Sequence, residues 1–192
     1  TGNRWGRVAG TLGLVVVGAG MLVLIAALLR PAATDPITGP DGQAVAGSVA
    51  ELTSIDNGGA ELRMLIRGSR SDAPVLLFLA GGPGGSEFGA MRRHLSALEQ
   101  HFVVVTWDQR GSGTSYNQLD PIDSVSLDGY VADTIAVTNY LRDRFAQESI
   151  YLLGQSWGST LGVLAVQQQP QLYRAFIGVG QMVSQLATDR IF

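Results

Sequence analysis

The chain has 192 residues, no cysteine, two histidines and a formal net charge of -3, with 46% apolar and 15% charged residues. That is enough apolar material for the core of one ordinary domain. The absence of a Lys/Arg cluster argues against a nucleic-acid binder, the absence of cysteine excludes a disulfide framework or a thiolate metal site, and two histidines argue against a histidine-rich one. No metal or organic cofactor is implied.

Val8–Leu29 reads VAGTLGLVVVGAGMLVLIAALL, 22 residues without a charge. As a helix it rises about 33 Å, matching the roughly 30 Å hydrocarbon core of a bilayer. Residues 1–30 are therefore read as a transmembrane helix with its flanks. Arg4 and Arg7 precede the apolar span, Arg30 closes it, and Asp35 and Asp41 soon follow. This asymmetry predicts a single-pass protein with a cytoplasmic amino terminus and the rest of the chain outside. A cleaved signal peptide with a secreted product is the alternative, although the span is long for one and Pro31-Ala32-Ala33 is the nearest cleavage-like site. Gly18-Ala19-Gly20 lacks the third glycine of a dinucleotide loop. Gly2, Gly6 and Gly10 have a spacing that permits contact with a membrane-protein partner. Residues 31–46 hold three prolines and no periodicity, and read as a linker.

Residues 47–182 read as one globular segment. Ser48–Ile55 and Glu61–Ile66 are predicted strands around a hairpin turn, Asp56-Asn57-Gly58-Gly59. The continuous apolar run VLLFLA, from Val75, predicts a strand buried on both faces, as in a parallel sheet. The glycine loop AGGPGGS follows at 80–86, then a helix with Met91, Leu95 and Leu98 on one face. Phe102–Trp107 is another strand, and Asp108–Ser115 a loop. Ser126 caps a helix carrying Val131, Ile135, Thr138, Leu141 and Phe145 at helical spacing. Ile150–Leu153 is a strand, Trp157–Gln169 a helix stopped by Pro170, and Ala175–Val179 a strand. Two antiparallel strands thus lead into alternating strands and helices, which implies an α/β fold: a mostly parallel sheet with helices on both faces.

Between the last two strands stands Gly154-Gln155-Ser156-Trp157-Gly158. A serine nucleophile has to be pushed out of the sheet, and a sharp strand-to-helix turn does this at the cost of backbone strain. Gly154, Gly158, Ser159 and Gly162 are small enough for strand and helix to approach. The following helix places free N–H groups and its positive dipole end beneath the serine, where an oxyanion forms during acyl transfer. The Trp157 N–H is one candidate donor, and Gly82, in the earlier glycine loop, is the candidate for the second. No Gly-Lys-Ser/Thr follows that loop, so it is not a phosphate loop.

GGPGG, WDQRGSGTS and GQSWGST, in this order and spacing, resemble the proline iminopeptidase branch of the α/β-hydrolase superfamily across about residues 48–182. The resemblance implies Ser156 as nucleophile and the backbone N–H groups of Gly82 and Trp157 as the oxyanion hole. It implies a peptide or acyl substrate, with hydrolysis at a free amino terminus, often after proline. One departure is Ala80, where the family usually has a histidine before the two glycines. Asp108 and Arg110 are read as fixing their own loop through side-chain hydrogen bonds and an ion pair. Trp107 and Trp157 are read either as pocket-lining residues or as packing.

A serine needs a base, and the superfamily order is serine, acid, histidine. After Ser156 there is no histidine, and the only acid, Asp189, follows the last strand too closely. His94 and His101 precede the serine and are read as solvated or capping. The expectation is therefore an amino-terminal part of a longer protein, with a cap beginning in 183–192 and the acid and histidine beyond Phe192. The reading is a membrane-anchored serine hydrolase of amide, peptide or ester bonds, most closely an aminopeptidase. A non-catalytic subunit of a membrane complex with a degenerate hydrolase domain is the alternative.

Overall fold

The computed structural model describes residues 3–30, 32–118, 122 and 125–191. Contacts divide the chain into two compact units, Thr1–Ala33 and Thr34–Phe192. The first holds one helix, α1 (Asn3–Leu28), which starts five residues before the expected apolar span. Its stretch Arg7–Leu28 has a mean hydropathy of 2.5 and none of it is buried, so it is long and apolar enough to cross a membrane.

The second unit contains a six-stranded sheet of order β1-β2-β4-β3-β5-β6. Strands β1 (Val49–Asn57) and β2 (Ala60–Gly68) form an antiparallel hairpin. Gly58 and Gly59 make its two-residue turn, both at positive φ, as such hairpins require. β2 pairs antiparallel with β4 (Val103–Trp107). β4 pairs parallel with β3 (Val75–Leu79), β3 with β5 (Ile150–Gln155), and β5 with β6 (Tyr173–Val179).

Every residue of β3 and β4 is buried, as the apolar run of β3, and that of β4 interrupted only by Thr106, predict for strands covered on both faces. On one face Leu77, Leu79 and Val105 pack with Val137 and Leu141 of α3 (Leu127–Arg144) and Leu161 of α4 (Trp157–Gln168). On the other, Phe78, Ala80 and Val104 pack with Met91 of α2 (Phe88–His94). Ser126 caps α3 as expected, its Oγ accepting from the Gly129 N–H at 3.1 Å.

Two expectations are revised. The helix through Met91, Leu95 and Leu98 ends at His94, and a tighter turn covers Ser96–Gln100. That turn carries Glu99 inward, where its carboxylate accepts from Arg67 Nε at 2.9 Å, both side chains about nine-tenths buried. A buried guanidinium needs such a partner, which a uniform helix over 88–98 does not provide. The second concerns the segment read as a linker. Its residues from Thr34 on belong to the larger unit. Arg67 donates to Thr34 Oγ1 at 2.7 Å and to the Asp35 carbonyl at 2.6 Å, and Arg92 pairs with Asp35. A bridge between Thr38 and Ala44 closes the next turn.

Sequential connections leave β3 toward β4 on one side and β5 toward β6 on the other, though β3 and β5 are neighbours. Loops at the carboxyl ends of such a pair diverge and open a crevice, the usual ligand position in open α/β sheets. The loop at 80–86 and Ser156 both stand there. The short helix α5 (Gln185–Thr188) falls within the expected cap start.

Candidate active site

Ser156 joins β5 to α4 with φ 49° and ψ -117°. A non-glycine residue at positive φ is strained, and such strain persists only where its surroundings impose it. Here they do. The Ser156 N–H donates to the Val179 carbonyl at 2.9 Å, tying the turn to the end of β6. The Ser156 carbonyl accepts from the Ser159 N–H at 2.8 Å and from Ser159 Oγ at 2.6 Å. Ser159 Oγ in turn accepts from the Met182 N–H at 2.9 Å.

The flanking glycines are required by close approach. A Cβ on Gly158 would collide with the Leu79 carbonyl, and one on Gly154 with the Gly158 carbonyl. Strand and helix therefore touch backbone to backbone beneath the serine. Farther along α4, a Cβ on Gly162 would strike the Phe176 ring. The Ser156 residue itself is exposed, and no hydrogen bond to another described residue engages its hydroxyl.

The glycine loop lies against it. A Cβ on Gly81 would sit 3.6 Å from Ser156 Cβ. Gly82 has φ 128°, and a Cβ there would meet the amide nitrogens of Gly84 and Gly85 at 2.7 and 2.9 Å, so only glycine fits. Among the described residues, no acceptor takes the backbone N–H of Gly82 or of Trp157. Ala80, the departure noted above, is fully buried against Phe78 and Met91.

The loop after β4 reaches the same place. Asp108 is fully buried, and its Oδ2 accepts from the Thr114 N–H at 2.7 Å and from Thr114 Oγ1 at 2.8 Å. Arg110 donates to both carboxylate oxygens of Asp133, Nε to Oδ2 at 3.0 Å and a terminal nitrogen to Oδ1 at 2.8 Å. These bonds hold the guanidinium pKa above its ordinary value. Asp108 thus fixes its own loop, as read from the sequence, whereas the ion pair of Arg110 reaches out of the loop to Asp133 of α3. Trp107 is buried in the core, whereas Trp157 is half-buried, with its ring edge-on to Tyr130 at 6.0 Å. His94 and His101 are exposed, and so is Asp189.

Sequence reasoning missed Gln109, Tyr130 and Asp133. Gln109 lies between Ala80 and Trp157, and the Tyr130 hydroxyl donates to the Arg110 carbonyl at 3.1 Å. The available signal was for Asp133 alone, an acid among the apolar positions of α3.

A family model described as the alpha/beta hydrolase fold matches residues 74–191, well over half of the chain. The chain belongs to the α/β-hydrolase fold family. It is 39% identical over 137 residues to the probable aminopeptidase YbaC of Bacillus subtilis, a match covering 71% of this chain and 43% of that protein. It is 32% identical over 107 residues to a proline iminopeptidase of Lactobacillus crispatus, covering 55% and 35%. A crystal structure of a proline iminopeptidase-related protein from Thermus thermophilus superposes with a TM-score of 0.58 at 29% identity, covering 68% and 44%. The chain thus spans less than half the length of these relatives. Within this α/β-hydrolase, the elbow, the glycine loop and the loop after β4 all lie inside the matched region.

Proposed function

We propose that the chain carries the nucleophile of a membrane-anchored serine hydrolase that cleaves amide or peptide bonds through an acyl-enzyme. The observation that carries this reading is Ser156 itself, an exposed residue on a strained turn at φ 49°. Its Oγ attacks the substrate carbonyl carbon and its proton passes to a base. Negative charge collects on the former carbonyl oxygen, facing the N–H groups of Gly82 and Trp157 and the amino end of α4. Collapse expels the amine, which takes up the proton, and leaves an ester on Ser156. Water then hydrolyses that ester by the same steps. The base and its acid are assigned, as part of the proposal, to the length of the relatives that these 192 residues do not span.

The relatives' names favour an aminopeptidase of the proline iminopeptidase kind, with a substrate offering a free amino terminus. Anchoring rests on α1, with Arg4 and Arg7 holding its amino end in the cytoplasm.

A fluorophosphonate probe tests both parts on the full-length protein. The expected result is labelling of a protein that stays in the membrane pellet after alkaline carbonate extraction, with labelling abolished in Ser156→Ala. An unlabelled, folded full-length protein overturns the serine chemistry. Release into the carbonate supernatant overturns the anchor.

A further inference from the structure

Gln109 is 1% exposed at the end of the parallel strands. Its Nε2 donates to the Ala80 carbonyl at 3.2 Å, and its Oε1 accepts from Trp157 Nε1 at 3.0 Å. Of the two ends of the amide, only the NH2 donates to a carbonyl and only the oxygen accepts from an indole N–H, so these partners fix its orientation. Its own backbone is held as well: the Gln109 carbonyl accepts from the Ser112 N–H at 2.9 Å and from Ser112 Oγ at 2.8 Å. Trp157 meets the same loop a second time through Tyr130, which packs edge-on to its ring and donates to the Arg110 carbonyl.

The two groups that Gln109 grips bear on the two amides assigned above to the oxyanion. Ala80 precedes Gly82 by two residues. Trp157 carries the other amide itself. The glycine loop has little side-chain packing of its own to set its distance from the elbow. An amide bridge between loop and elbow supplies that distance, and an apolar side chain of equal size would not.

We propose that Gln109 is a positioning residue that sets the separation of the Gly82 and Trp157 N–H groups, acting through the Ala80 carbonyl and the Trp157 indole. This rests on the serine-hydrolase reading. Misplacing reacting groups by about 1 Å costs on the order of 100-fold in rate, and losing one oxyanion donor costs about as much. Gln109→Met keeps the volume and removes both bonds.

The test is the rate constant of fluorophosphonate labelling at saturating probe, measured on full-length parent, Gln109→Met and Trp157→Phe. Gln109→Met is expected to label roughly 10- to 100-fold more slowly, with little change in half-saturating probe concentration and the same final fraction labelled. A merely structural role lowers the fraction labelled and leaves the rate constant of the remaining molecules unchanged. Trp157→Phe removes the indole bond from the other side and carries the test if Gln109→Met does not fold. It is expected to slow labelling about 3- to 10-fold. In the double variant, the rate should fall no further than in the slower single. A labelled parent whose folded variants label at the parent rate constant overturns the role of Gln109 alone. An unlabelled parent overturns the serine-hydrolase reading, and this inference with it.

Discussion

Arg110 and Asp133 face each other fork to fork, their side chains 9% and 1% exposed. Asn57 Nδ2 adds a third donor to the same carboxylate at 2.7 Å. The pair therefore binds three pieces of chain: the loop after β4, the second turn of α3, and the tip of the β1–β2 hairpin. Asp133→Ala takes this carboxylate away from a buried guanidinium and from the half-buried Asn57 amide. Removing one partner of a buried pair costs about 3–5 kcal/mol. The urea midpoint is expected to fall accordingly. Asp133→Asn keeps an acceptor and is expected to cost less.

Gly158 and Gly89 make a contrasting pair of alanine substitutions. The methyl on Gly158 has to displace the Leu79 carbonyl, forcing β3 and α4 apart, whereas at Gly89 in α2 nothing lies within 4 Å. Gly158→Ala is expected to lose about 2 kcal/mol or more and to abolish serine labelling. Gly89→Ala is expected to be neutral, or stabilising by up to about 1 kcal/mol. Thermal melts of the two variants beside the parent check both outcomes.

Tyr173 gives the chain an alkaline limit. Burial holds its hydroxyl pKa above the ordinary value of 10.0, and a hydrogen bond with Thr138 only partly offsets this. The folded state therefore favours the neutral phenol. Its contribution to stability is complete below the ordinary value and is lost as pH rises through the raised one. From roughly pH 9 to 11, around the ordinary value, the parent's melting temperature is expected to fall more steeply than that of Tyr173→Phe. Equal slopes would assign the alkaline loss to other groups, Tyr130 first, since burial raises its pKa too.

The parts legible in the sequence are those whose physics is local. Val75–Leu79 and Val103–Trp107 announce buried strands because a parallel sheet covered on both faces needs no polar position. The elbow is legible because the backbone contact of strand with helix forces small residues at fixed offsets from Ser156. Gln109 is not legible: its partners lie 29 residues upstream and 48 downstream, and no periodicity marks a lone amide in a polar loop. The break at Leu95 and the docking of Thr34 have one origin. Both answer the needs of the Arg67 side chain, whose burial inside β2 an alternating strand pattern does not reveal.

That guanidinium also sets where the molecule can be shortened. Its Nη1 donates to the Thr34 hydroxyl and the Asp35 carbonyl, well ahead of the first strand at Val49. A version trimmed of α1 to work in plain buffer has to begin upstream of Thr34. Starting it at the hairpin would strip a sequestered cation of two oxygens and leave Glu99 to neutralise it alone.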